Sequence, residues 1–456
     1  LVSLSDETSD WYNCSRAAVS LNCTMADCFI HASDLHLDQP IGDIGSLTEY
    51  EDDISTNLAL AARGALEELV NLAITREASF VVLAGDIFHD GSANPAVQLH
   101  FHDQLSRLGR EIPEIPVFIC HGNHDPLANF RRTGKLPSNV TVFGTENPMV
   151  DAAGAAIEYV PLRSGNGFAA VSGLSFSTQE EEENLALRFH ALERPDVPHV
   201  AVLHAALGDL QGHSSYAPCK ESDLKEAPVD YWALGHIHLR RVVDLGPGRY
   251  AAYCGNLQGR HFKPSECHPK GALVVPISEH GIGKPEFAPC DKVRFVESVV
   301  TVNADQEIED VIRAARDVAE QVGNAAEDRP VVWSLELEGW HPNPSELEEE
   351  FLRMDSTEID RQEVRDLLNG GGRAFFVCVK VKNPLSVDEV VAAGGFPAEL
   401  VGAARDETKV DGLVDELVAC LPRTVRNQFV DDEAARTEVA RLTMQNLRLF
   451  VEGNDG

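Results

Sequence analysis

The chain has 456 residues, enough for two or three domains, and a hydrophobic fraction of 43% is ordinary for a protein that buries a sizeable core. Its formal net charge of −35 comes from 73 acidic against 38 basic residues spread evenly along the chain, which speaks against tight unaided binding to a polyanion and reads as a solubility or salt adaptation. No run nears the ~20 apolar residues a membrane helix needs, and the ten cysteines include no CxxC pair, so a membrane span, a zinc ribbon and a thioredoxin-like site are excluded and a reducing cytoplasm is expected.

The first Met is Met25, and residues 1–24 lack the basic and apolar regions of a signal peptide, so residues 1–27 are expected to be a non-native or disordered extension. Phe29–Ala32 reads as a buried strand and is followed by a polar loop, Ser33–Gln39. Leu58, Ala62, Leu66, Leu69, Val70 and Ala73 recur at three and four residues and predict an amphipathic helix. Phe80–Ala84 is the next strand, Leu99, Leu105 and Leu108 fit a helix after it, and Pro116–Cys120 is a third strand. Further apolar runs predict strands at Ala169–Gly173, Val200–His204, Tyr231–Leu234, Tyr250–Tyr253 and Ala272–Pro276. Strands alternating with helices early and following one another later predict an α/β class, a two-sheet α/β sandwich.

Beyond about residue 285 the texture changes. Phe295–Val302 predicts a strand, Gln306–Val322 a helix, Val331–Leu337 a strand, then a Glu-rich helical stretch and a strand at Ala374–Val381. This divides the chain into a larger first domain at 28–284, a smaller α+β domain at 285–385, and a linker with a helical C-terminal segment at 386–456. Histidine follows the same division, because 16 of the 17 lie before residue 281. Chemistry that uses imidazole is therefore expected in the first domain.

Five short motifs close predicted strands: Asp34-Leu35-His36, Gly85-Asp86-Ile87-Phe88-His89, Gly122-Asn123-His124-Asp125, His204, and Gly235-His236-Ile237-His238. Ligands of open α/β sheets bind outside the carboxyl ends of strands, where loops from distant sequence meet. Carboxylate oxygen with imidazole nitrogen suits manganese, iron or zinc. Singly, each motif has an ordinary explanation: a chance Asp-x-His, an Asn-His-Asp turn, a satisfied core histidine at 204. Their order and their shared place at strand ends are what point to a metal centre.

The same motifs in that order resemble the calcineurin-like metallophosphoesterase superfamily over about residues 28–280. The stretches HASDLHLD, LAGDIFHD and GNLQGRHF are similar to the SbcD-type and YhaO-type DNA repair nucleases, and residues 285–385 resemble their capping domain more weakly. The resemblance implies two divalent metal ions, manganese first, with iron or zinc also compatible. By position it implies Asp34, His36 and His238 on one ion, Asn123, His204 and His236 on the other, and Asp86 bridging them. It also implies His124 over a scissile phosphate, oriented by Asp125, with His89 positioning the phosphate, and the Gly255–Arg260 loop closing beside the site.

Three functions compete on these grounds. The first is a DNA exo- or endonuclease working with an SbcC-like coiled-coil ATPase, compatible with a homodimer. The second is a small-molecule phosphodiesterase or protein phosphatase on the same core, which the acidity favours. The third is a non-catalytic scaffold, which predicts lost ligands, and none of the seven is missing. Near the C-terminus, Val439, Leu442, Leu449 and Phe450 share one helical face, expected either to pack on the chain itself or to dock the ATPase.

Overall fold

The computed structural model describes residues 27–339 apart from 40, 42–51, 90–93, 129, 132, 209–215, 304–305 and 327–328, together with the backbone of 52–59 and of 374–382. The expected Glu-rich helical stretch and the C-terminal helical segment lie outside the described residues. The chain divides into two compact units. The described residues of the first fall within 27–300, 312–336 and 374–379, and those of the second within 301–311, 337–339 and 380–382.

The strands of the first half are β1 (Cys28–Ala32), β2 (Phe80–Ala84), β3 (Val117–Cys120), β4 (Val140–Val142), β5 (Val160–Pro161), β6 (Phe168–Leu174) and β7 (His199–His204). They are followed by β8 (Tyr231–Gly235), β9 (Arg241–Gly246), β10 (Arg249–Tyr253), β11 (Gly271–Ser278), β12 (Gly281–Ile282) and β13 (Glu286–Pro289), then β14 (Arg294–Val302), β15 (Val331–Gly339) and β16 (Ala374–Lys382). The helices are α1 (Asp52–Thr75), α2 (Pro95–Glu111), α3 (Glu221–Glu226) and α4 (Ile308–Ala325).

One seven-stranded sheet runs β12-β11-β1-β2-β3-β4 with β13 also on β11, a six-stranded sheet runs β5-β6-β7-β8-β10-β9, and a third runs β14-β15-β16. The central strands are parallel: β1 with β2, β2 with β3, β6 with β7, and β7 with β8. Parallel strands covered on both faces read as unbroken apolar runs, which is why β1, β2, β3 and β7 were visible as such. Alternate side chains then enter different layers. Phe29, Phe80, Val82 and Phe118 meet Val171, Val200, Val202 and Ala233 between the two large sheets. Ile30, Val81 and Leu83 face the other way, against Leu66 and Leu69 of α1 and Phe101 and Leu105 of α2. The outer face of the six-stranded sheet is covered by Leu185, Phe189 and Leu224 over Leu203 and Trp232.

α2 starts where Asn94 Oδ1 accepts the Ala96 N–H at 2.9 Å with Pro95 in the first turn, a capping pair that satisfies a donor the helix itself cannot. The strands that the apolar runs did not reveal are β4, β5, β9, β12 and β13. Four of them are two to four residues long. The fifth, β9, lies at a sheet edge with Val242 40% exposed, so it carries no apolar run. All six described cysteines, Cys28, Cys120, Cys219, Cys254, Cys267 and Cys290, are buried and unpaired. Among the described residues no helix is long and apolar enough to cross a membrane.

The layer between the two large sheets is anchored by Phe29, fully buried, stacked on Phe80 at 4.7 Å and edge-on to Tyr231 at 5.2 Å. Phe29→Ala should lower the unfolding free energy by ~3–5 kcal/mol in a denaturant titration. A loss under about 1 kcal/mol would mean that the layer collapses into the space left.

Candidate metal centre

All the motif residues sit where parallel strands of both large sheets end. β1 runs into Asp34 and His36, β2 into Asp86 and His89, β3 into Asn123 and His124, β7 ends on His204, and β8 leads into His236 and His238. The first two loops are zipped together by backbone bonds, Asp34 N–H to Gly85 O at 3.1 Å, His36 N–H to Asp86 O at 3.0 Å and Leu37 N–H to Ile87 O at 3.0 Å. Asp34 (φ 51°), His36 (φ 42°), Asp86 (φ 50°) and His236 (φ 98°) all lie in the left-handed region. Such conformations cost roughly 1–3 kcal/mol each for residues with a Cβ, and they gather at functional sites.

Glycine makes room for the same crowding. A Cβ on Gly122 would collide with Asp86 Oδ1, and one on Gly235 would collide with the carbonyl oxygen of Ala84. The glycines before Asn123 and His236 are therefore demanded by close approach of neighbouring loops.

The ring nitrogens and carboxylates of the motifs face one another. His204 Nδ1 is 3.0 Å from the Ala84 carbonyl, so Nδ1 carries the proton and donates. Its Nε2 then faces Asn123 Oδ1 at 3.0 Å and Asp86 Oδ2 at 3.4 Å. Opposite, His36 Nε2 and His238 Nε2 are 3.3 Å apart, with His36 Nε2 3.8 Å from Asp86 Oδ2 and His238 Nε2 3.8 Å from Asp34 Oδ1. Ligand atoms of Asp34, His36 and His238, of Asp34, Asp86 and His204, and of His36, His89 and His124 form groups whose members lie within 4.8 Å of one another. Burial, then the neighbouring Asp125 and Asp34, pushes the Asp86 carboxyl well above its ordinary range. Burial, then the charges of Arg260, His238, His124 and His89, holds His36 well below its own. Buried carboxylate oxygens and imidazole nitrogens converging on one another in this way fit divalent cations bound by oxygen and nitrogen. His236 stands beside this group, its ring 5.3 Å from that of His204 and 5.7 Å from Tyr216.

His124 and His89 stack at 4.4 Å on the open side of His36. The His124 N–H donates to Asp86 Oδ1 at 3.0 Å, and His124 Nδ1 donates to the His89 carbonyl at 3.1 Å. The His89 N–H is taken by Asp38 Oδ1 at 2.5 Å.

Asp125 does not reach the His124 ring as expected. Its carboxylate accepts the N–H groups of Gly122 at 2.9 Å, Ile87 at 3.0 Å and Phe88 at 3.3 Å, and lies 3.6 Å from His121 Nδ1. Burial opposes ionisation of Asp125, but the His121 ring and these N–H donors turn the shift downward, so it remains a carboxylate. It ties the loop after β2 to the loop after β3. The partner of the His124 ring is instead the His89 carbonyl.

Four partners were not foreseen. Ser33 Oγ donates to Asp34 Oδ2 at 2.5 Å, and the His236 N–H donates to Asp34 Oδ1 at 3.0 Å, so Asp34 is fixed before any ion binds. Glu266 accepts from His238 Nδ1 at 2.5 Å. Burial works against its charge, but the His238 bond, Arg260 and Lys270 bring its pKa down to about 2. Lys270 Nζ donates to the His238 carbonyl at 3.0 Å, and Arg260, 2% exposed, reaches the Leu35 carbonyl at 3.4 Å. Ser33 and Arg260 lie within stretches the sequence singles out; Glu266 and Lys270 stand in a polar loop without periodicity, where a lone acid bracketed by two basic residues was the available signal.

Residues 29–240 match the calcineurin-like phosphoesterase family. The metallophosphoesterase YhaO of Bacillus subtilis is 30% identical over 330 residues, covering 71% of this chain and 76% of YhaO. The DNA double-strand break repair protein Mre11 of Archaeoglobus fulgidus is 27% identical over 241 residues, half of each chain. The SbcD polypeptide of the Escherichia coli K12 nuclease SbcCD is 22% identical over 260 residues, 50% of this chain and 59% of SbcD. The chain thus aligns to three-quarters of YhaO and to little more than half of the repair proteins. With the motif order, the strand-end placement and the converging ligand atoms alongside these matches, the chain belongs to the calcineurin-like phosphoesterase family.

Proposed function

We propose that this chain is a two-metal phosphodiesterase that cleaves DNA. The observation that carries the metal-dependent half of this reading is the convergence of ligand atoms of His36, His204 and His238 with those of Asp34, Asp86 and Asn123. The names of Mre11 and SbcCD support the DNA half, and SbcD, being one component of a larger nuclease, supports work beside a partner such as a coiled-coil ATPase. In this reading Asp34, His36 and His238 hold one ion, Asn123, His204 and His236 the other, and Asp86 lies between them. Bound there, manganese or a similar ion would supply Lewis acidity toward a phosphate and lower the pKa of water.

The protein's own groups then have separable tasks. Asp34 is pre-set by Ser33 and by the His236 N–H, so its oxygens need no rearrangement. His204 keeps Nε2 available because Ala84 takes the other ring proton. His124, with Nδ1 committed to the His89 carbonyl, offers Nε2 to hold or give up a proton at the departing oxygen. His89, stacked on it, flanks the position of the phosphate.

Asp86→Ala should abolish bound metal and activity together, as read by elemental analysis and hydrolysis of a chromogenic phosphodiester. Two ions per chain kept by this variant would refute its bridging role. His124→Ser should keep both ions and lose ~10²-fold or more in turnover, the usual scale for a placed acid–base group. If its metal content drops to that of Asp86→Ala, His124 is a ligand.

Substrate class is decided by assaying the protein with Mn²⁺ on labelled single- and double-stranded DNA beside the chromogenic ester. Cleavage of DNA is expected. Turnover of the ester with intact DNA would favour the small-molecule reading, which the charge of −35 supports.

A further inference from the structure

We propose that Glu266 is a positioning residue for His238, holding the imidazole so that Nε2, and not Nδ1, is presented to the metal centre. The proposal rests on the two-metal reading above. Packing holds His238 less tightly than Asp34, His36, Asp86 or His204. Its side chain is 25% exposed, against 0% for Asp34 and His204 and 2% for His36 and Asp86. A half-open imidazole on a loop can turn about two side-chain bonds and can carry its proton on either nitrogen.

The structure removes both freedoms. Glu266 Oε1 lies 2.5 Å from His238 Nδ1, and a carboxylate can only accept, so Nδ1 carries the proton and Nε2 presents its lone pair. That Nε2 faces His36 Nε2 and the Asp34 carboxylate.

Glu266 is itself immobilised. It is 2% exposed, and its other oxygen accepts Asn256 Nδ2 at 2.8 Å and the Arg260 N–H at 3.1 Å. The same loop grips the backbone of His238. Its carbonyl accepts Lys270 Nζ at 3.0 Å and the Asn256 N–H at 3.4 Å. Loop and histidine fit without spare room: a Cβ on Gly255, at φ 79°, would lie 2.7 Å from the His238 carbonyl oxygen, and one on Gly259 would collide with the Glu266 carbonyl oxygen. A residue needed only to close the loop would require Asn256 and Arg260 as partners but not the ring of His238. A carboxylate behind a ligating histidine fixes its tautomer and orientation, and losing such a partner typically costs about 10–100-fold in metal affinity.

The test compares wild type, Glu266→Ala, His238→Ala and the double variant by calorimetric titration of Mn²⁺ into metal-free protein. Circular dichroism and thermal melting of the metal-free forms follow folding. Glu266→Gln, which keeps the volume but offers an amide where two acceptor oxygens are needed, replaces Glu266→Ala if the latter does not fold. Wild type should bind two ions. Glu266→Ala should keep one and weaken the other by ~10–100-fold. In the His238→Ala background the second substitution should cost nothing more, since the residue it positions is gone.

Equal affinity of both ions in wild type and Glu266→Ala would overturn the proposal. So would an equal loss from Glu266→Ala with and without His238, the signature of a merely structural role. Nitrogen-15 shifts of the metal-free protein give an arm that does not need metal: His238 should be the Nδ1–H tautomer in wild type and a mixture in Glu266→Gln. A wild type that binds no Mn²⁺ would defeat the two-metal reading, while the same shifts would still decide what Glu266 does to His238.

Discussion

The molecule is organised around a buried cluster of carboxylate oxygens and imidazole nitrogens that face one another. Burying polar and ionisable groups of this kind without compensation costs several kcal/mol. The fold tolerates this because each group's other atom is already committed: His204 to the Ala84 carbonyl, His238 to Glu266, Asp34 to Ser33 and the His236 backbone. The left-handed backbone at four of the residues adds to the cost. These terms are offset by the apolar layers on either side of both sheets, which hold the strand ends together from outside the site. With these tethers in place, binding cations should need little reorganisation of the chain.

Acidity and a phosphate substrate pull in opposite directions. At physiological ionic strength charges are screened beyond about 8 Å, so the overall negative charge acts mainly on approach and not within the cleft. Inside, the carboxylates of Asp34 and Asp86 would be neutralised by the cations they hold, while Arg260 and Lys270 lie buried behind the His238 side. Attraction of a phosphodiester is therefore a short-range property of the loaded centre. A chain of this charge gains little from long-range steering.

Most of the core was legible because its strands are buried on both faces. Runs such as Phe80–Ala84 and Val200–His204 have one physical explanation, and the motif residues follow directly from their ends. The helix expected at Gln306–Val322 is present as Ile308–Ala325, displaced by the usual uncertainty of helix ends. Edge and two-residue strands escaped because they lack an apolar run. At the site, residue types and order were readable, but tautomers and tethers were not. Nothing in the local pattern of Asp125 says that its carboxylate turns away from the adjacent histidine to bind three backbone N–H groups from two loops. Nothing around Glu266 announces that a residue 28 positions after His238 closes onto its ring. Such partners belong to the tertiary fold and leave no periodic trace.

The six unpaired thiols carry a consequence for how the protein ages. Burial raises every one of them, Cys28 to about 11 and Cys219, Cys254 and Cys267 each to about 12, with Cys120 and Cys290 also far above the free thiol. Oxidants and alkylating reagents attack the thiolate, which these residues scarcely form while the sheets stay closed. Cys254 lies within hydrogen-bonding distance of Ser33, the residue that fixes Asp34, and Cys120 directly precedes the loop of Asn123. Oxidative damage at either position thus requires prior opening of the very layer that supports the centre. Burial of the described thiols thus ties their reactivity to opening of the packed layers.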